Sequence, residues 1–205
     1  MITRLPSEET PEVFARALEQ LRSARLRPEV VLTEVPAPQR IAPYAVALTA
    51  DVLARTVPSG GTLQPGADEP DELASGRFVL LHDPAAPEPW DGTFRAVTFV
   101  RAELEPEFGS DPMLGEVGWS WLLDALDARE ARYTQDGGTV TRVVSQSFGA
   151  LADRPPSVEL EVRGSWTPLD DDLGTHLAAW ADLLCTVAGL PPLPEGVAAL
   201  PARRR

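Results

Sequence analysis

The chain has 205 residues, 31 of them acidic and 18 basic, for a net charge of −13. That balance repels phosphate backbones and anionic lipid, so direct nucleic-acid binding and membrane binding are not expected. The single cysteine, Cys185, excludes an intrachain disulfide, and the absence of lysine excludes a P-loop lysine, a Schiff-base lysine and a lysine general base.

The opening MITRLPSEET has no apolar core of a secretory signal, and apolar runs such as FVLL are far too short to span a bilayer. A reducing, cytoplasmic setting is the expectation. The segment PSEETPEVFARALEQLRSAR reads as a first helix, with Thr10 as cap, Pro11 in the first turn, and Val13, Phe14, Ala17, Leu18 and Leu21 on one stripe. The next segment, EVVLTEVPAPQRIAPYAVALTADVL, reads as two strands. Pro36, Pro38 and Pro43 place it at a sheet edge or a bulged corner. Residues 54–76, rich in Pro, Gly and acidic side chains, read as a long surface loop.

RFVLLHD and TFRAVTFVRAELE then read as strands joined by the turn-rich PAAPEPWDG. After a middle helix, GGTVTRVVSQSFG and SVELEVRGSW read as an antiparallel pair. In the second, Val158, Leu160 and Val162 alternate with Glu159, Glu161 and Arg163, as in a strand with one wet face. The last helix follows Asp170, Asp171 and Asp172, carries Leu173, Leu177, Trp180, Leu184 and Val187 on one stripe, and stops at Gly189 and the prolines beyond it. This order predicts one α+β domain over residues 1–190, with a mainly antiparallel sheet, three main helices covering at least one of its faces, and an extended tail at 191–205.

The middle helix raises the sharpest functional question. On a helical wheel Leu114, Val117, Trp121 and Ala125 form one apolar stripe, and Trp119, Leu122, Leu123 and Leu126 form a second. A helix lying on a sheet needs an apolar arc of only roughly 100–140°. The second stripe therefore either packs on another helix of the chain or meets a protein partner, with Trp119, Leu122, Leu123 and Leu126 as its contacts.

No catalytic, cofactor or metal motif is present. GWSWL lacks the last glycine of a nucleophile elbow and places Ser120 inside a helix. With only His82 and His176, no histidine spacing suits zinc. Glu103, Glu105 and Glu107 read as a solvated strand face, His176 as a core histidine and Cys185 as a buried thiol. Arg95, Arg101, Arg142 and Arg163 lie on strands, where they either converge on an anion or pair with the abundant carboxylates. His82, Asp83, Trp90 and Arg142 make up the alternative site, a small-molecule pocket near the 82–92 loop.

The runs WDGTFRAVTFVRAELEPEFGSDPMLGEVGWSWLLDAL, SFGALADRPPSVELEVR and HLAAWADLLCTVAGLPPLPEGV resemble a family of uncharacterised actinobacterial proteins. The chain's avoidance of Lys, Asn and Ile fits a G+C-rich genome. The resemblance implies a domain of unknown function and transfers no site residue. Element order and acidity are also similar to type III secretion chaperone-like proteins, which implies dimerisation and the holding of other proteins. Together these readings favour a non-catalytic protein-binding or regulatory domain with a homodimer or a protein client. A small-molecule binder or enzyme, and a structural homo-oligomer, are the alternatives.

Overall fold

The computed structural model describes residues 10–54, 71–169 and 171–191. Helix α1 (Glu12–Ser23) leads into strands β1 (Val30–Val35), β2 (Tyr44–Leu53), β3 (Glu72–His82) and β4 (Phe94–Leu104). A 3-10 turn at Pro106–Ser110 precedes α2 (Leu114–Ala128). Strand β5 (Tyr133–Ser145), a short 3-10 turn at Gly149–Leu151, β6 (Ser157–Pro168) and α3 (Leu173–Val187) complete the order.

The six strands form one sheet in the order β1-β2-β3-β4-β6-β5, antiparallel at every step. Successive strands are neighbours except once. The chain leaves β4, passes through α2 to the outer strand β5, and turns back so that β6 pairs on both sides. This is an α+β fold with an open sheet. The two edges are unlike: β1 has six residues, β5 thirteen.

All three helices pack on one face of the sheet. Its row Leu48, Phe78, Thr98, Gly164 and Gly138 crosses five strands in register. Gly76 lets α3 approach closely, because a Cβ there would stand 2.9 Å from both Trp180 and Leu184. On the same face, α2 is seated over β5 and β6: a Cβ on Gly118 would meet Val140 at 3.2 Å and Leu160 at 3.6 Å. Helix α1 lies beside α3. The Gln20 side chain donates to the Asp171 carbonyl and accepts from the Leu173 amide, joining the end of α1 to the start of α3.

Several expectations need correction. Pro11, not Thr10, is the N-cap of α1, and no side chain caps it. Strand β3 begins at Glu72, so residues 72–76, expected as loop, are strand. β4 ends at Leu104, so Glu103, Glu105 and Glu107 do not share one strand: Glu105 caps the 3-10 turn and Glu107 lies within it. Helix α3 buries far more than one stripe, including His176, Ala178, Ala179, Ala181, Leu183 and Cys185. It sits between α1 and α2 above the sheet, so its small residues are also enclosed. Asp170, most of the 54–76 stretch and all of the tail beyond Pro191 lie outside the described residues.

Candidate functional site

The two stripes read from the α2 wheel do not map onto two surfaces. The buried arc runs through Leu114, Gly118, Leu122, Ala125 and Leu126, and so takes members of both. A glycine scores nothing on an apolar wheel, yet a Cβ on Gly118 would stand only 3.2 Å from Val140 of β5. Leu122 and Leu126 are 0% exposed beneath the helix. Trp119 is half-buried against Gly138 of β5, Leu123 is half-buried one turn further along α2, and Trp121 is half-buried on the flank facing α3. The four residues expected to share an interface therefore divide, with two in the core and two at its margin.

Beside the Trp119 flank runs the outer edge of β5, which no strand among the described residues pairs, and most of its residues are exposed. At the end of the strand, exposed apolar side chains gather round the edge. Phe108 comes from the 3-10 turn, Met113 from the start of α2, Val143 and Val144 from β5, and Phe148 and Leu151 from the turn beyond. Phe148 is 76% exposed. Gly109 abuts Val144 and Val158, and the Arg142 guanidinium donates to the Asp111 carbonyl, so the turn before α2 is tied to this end of β5. One signal for the corner was present in the sequence. Adjacent Val143 and Val144 break the alternation of a strand with one wet face, and adjacent residues point to opposite faces.

The face of the sheet away from the helices carries a second feature. Arg77, Phe99 and Arg163 stand side by side on β3, β4 and β6, with the Arg163 guanidinium 5.4 Å from the Phe99 ring centre. They line a groove of about 410 Å³ with Val79, Val97 and Ser165. Arg77 donates to the Pro36 carbonyl and Arg163 to Glu161. Nearby, Arg95 donates to Ser165, Thr167 and the Gln135 carbonyl; burial lowers its pKa, which Asp136 partly offsets. Arg101 pairs with Glu159. Arg77 and Phe99 have no signature in the linear chain, because only strand register sets them beside Arg163.

The alternative pocket is not assembled. His82 is 2% exposed, with its ring among Phe14, Tyr44 and Phe94. Its Nδ1 bonds the Thr93 carbonyl at 3.0 Å, and Nε2 is buried without a partner. Asp83 accepts from the Ala85 amide in the following turn. Trp90 packs against Ala45, Ala47, Val79 and Leu81 on the helix-free face. Arg142 aligns through β6 and β4 with Ala74, near the other end of β3, which puts it about 26 Å along the strands from His82.

The other reactive groups have structural roles. Ser120 Oγ donates to the Val117 carbonyl within α2. His176 Nδ1 accepts from the Trp166 indole at 3.0 Å in the core. Cys185 is 1% exposed, and burial pushes its thiol pKa up to about 11. Among the described residues, no group of His, Cys, Asp and Glu is placed to hold a metal ion, and no helix is long and apolar enough to cross a membrane.

No curated protein and no solved structure matches the chain. The model of a family described as protein of unknown function (DUF3000) matches residues 10–198, and the chain belongs to that family.

Proposed function

We propose that this chain is a non-catalytic, adaptor- or chaperone-like protein-binding domain of the cytoplasm, which receives a partner along the free edge of β5 and the Trp119–Leu123 flank of α2. The observation that carries this reading is the apolar corner. Among the described residues twelve large apolar side chains are exposed, and six of them, Phe108, Met113, Val143, Val144, Phe148 and Leu151, lie on β5 or in the turns and helix start next to its last residues. Exposed apolar surface beside unpaired strand groups is the form of a strand-addition site, in which backbone bonds hold the partner and side-chain pockets select it. The enclosure of His82 and Cys185 and the internal bond of Ser120 leave these groups poorly placed for catalysis.

The test is a photo-crosslinking residue at Val144 in cells that express the chain, with the same residue at Val31 on the β1 edge as control. Adducts at Val144 and none at Val31 support the reading; no adduct at Val144 overturns it.

A second reading, a small-molecule binder, is favoured by the Arg77–Phe99–Arg163 row. An apolar floor with guanidinium groups on both sides suits a flat ligand bearing a carboxylate. Aromatic carboxylates at millimolar concentration should then raise the melting temperature, and Arg163→Gln should abolish the rise. Equal melting curves with and without them count against it.

A further inference from the structure

We infer that the partner seated on β5 is a second copy of this chain, so that two six-stranded sheets join edge to edge about a two-fold axis. This inference rests on the reading of β5 as a docking edge given above.

The first argument is the contrast between the two edges. Sheet edges are normally blunted by shortness, proline or charge, because bare edges pair with other chains. The β1 edge has these guards: six residues, with Pro28 just before it and Pro36 just after. The β5 edge is longer, and its guards are confined to a bulge between Thr134 and Gly137 and to Asp136 and Arg142. Its thirteen residues include no proline, and from Gly137 to Ser145 the only charged residue is Arg142.

Self-complementarity is the second argument. Two identical strands paired antiparallel are related by a two-fold axis, so every contact occurs twice. Asp136 and Arg142 lie three residues either side of Thr139. A register centred on Thr139 sets Gly138 opposite Val140 and brings Asp136 of each copy, at the bulge that precedes Gly137, toward Arg142 of the other, whose guanidinium also holds the Asp111 carbonyl of its own chain. Centring on Arg142 itself would set like charges face to face, which is unfavourable.

The third argument is the space above the sheet. Helix α2 spans β5 and β6: Trp119 lies on Gly138 of β5, while Leu122 lies against Gly164 of β6. Strands in a sheet are about 4.8 Å apart. Two helices each centred between β5 and β6 would then stand about 10 Å apart across the axis, which is the packing distance of neighbouring helices. Trp119 and Leu123 of the two copies would face each other, and the half-buried flank would become core.

The test is sedimentation equilibrium of the full chain at about 100 µM, a concentration well above the dissociation constant of a stable dimer. The expected mass is twice the chain's 22.1 kDa. Asp136→Arg and Arg142→Asp each replace two opposite-charge pairs by like-charge pairs and should weaken the dimer roughly tenfold, while the double exchange should restore it. Val144→Glu should also give the single-chain mass, with the folded circular-dichroism spectrum and melting transition kept. A single-chain mass for the parent overturns the inference, as does a dimer indifferent to all these changes. Crosslinking at Val144 separates the two failures. Adducts to other proteins only, with a monomeric parent, overturn the second copy and keep the docking edge; no adduct at all removes the docking edge itself.

Discussion

The indole of Trp119 rests on Gly138 of β5, so that a Cβ added to the glycine would stand 2.6 Å from the ring and would also collide with the Arg163 carbonyl on β6. Gly138→Ala should therefore cost about 1–3 kcal/mol, since neither an indole nor a paired strand yields cheaply. For a chain of this size, melting falls by roughly 2–4 °C for each kcal/mol. The adjacent Gly137 has nothing within 4 Å of its Cβ position. Gly137→Ala should stay within about 0.5 kcal/mol of the parent, and calorimetry on the two variants makes the comparison.

His82 should make stability depend on pH. Its folded pKa is lowered, chiefly by burial, against smaller opposing effects of the Thr93 carbonyl and Asp83. The unfolded histidine takes up its proton near pH 6.5 and the folded one only at lower pH. The His82 contribution is thus fully present above about pH 6.5 and is lost as pH falls through the folded pKa. Urea midpoints should decline from pH 7.5 to pH 5, and His82→Phe should flatten that decline. An unchanged slope in the variant would assign the pH dependence to other groups.

Arg129 grips Asp182 with two bonds, Nε at 2.6 Å and Nη2 at 3.0 Å, and so ties the end of α2 to α3. The hydrogen bond to Asp182 raises the arginine pKa. Both side chains are about one-third exposed, so solvent screens the pair. A double-mutant cycle with Arg129→Gln and Asp182→Asn should return a coupling of about 1 kcal/mol. Arg129→Lys should lose much of it, because an ammonium cannot reproduce the fork.

Cys185 should be inert in the folded chain. Its thiol is enclosed by α3 and its neighbours, and its pKa of about 11 leaves little thiolate at neutral pH. An aromatic disulfide reagent should react within seconds in denaturant and over hours without it. Fast reaction under native conditions would mean that the α2–α3 groove opens readily.

The strand pattern was legible wherever burial is one-sided. In β6, Val158, Leu160 and Val162 are buried, and Glu159, Glu161 and Arg163 lie toward the helix-free side, as their alternation implies. The helices were legible as elements but not as environments. An apolar wheel gave α2 two stripes and α3 one, yet α3 is the more enclosed. The wheel weighs side chains and ignores neighbours, so it passed over Ala178, Ala179 and Ala181, which are buried because a helix lies on either side. It also passed over Gly118, whose missing side chain is what lets α2 approach β5. The corner round Val144 was visible only as a broken alternation, and the arginine groove left no trace in the linear order.

The sequence by itself determined the element types, the antiparallel α+β class, the buried thiol and the exclusion of lysine chemistry, because these depend on local periodicity and on composition. Tertiary structure alone decided that α3 is the central helix, that β6 inserts between β4 and β5, and that β5 is the long outer edge among the described strands. Strand order and register are settled by which elements pack against one another far apart in the chain. No local pattern encodes them, and the candidate site lies at the outer edge of the last strand in that order.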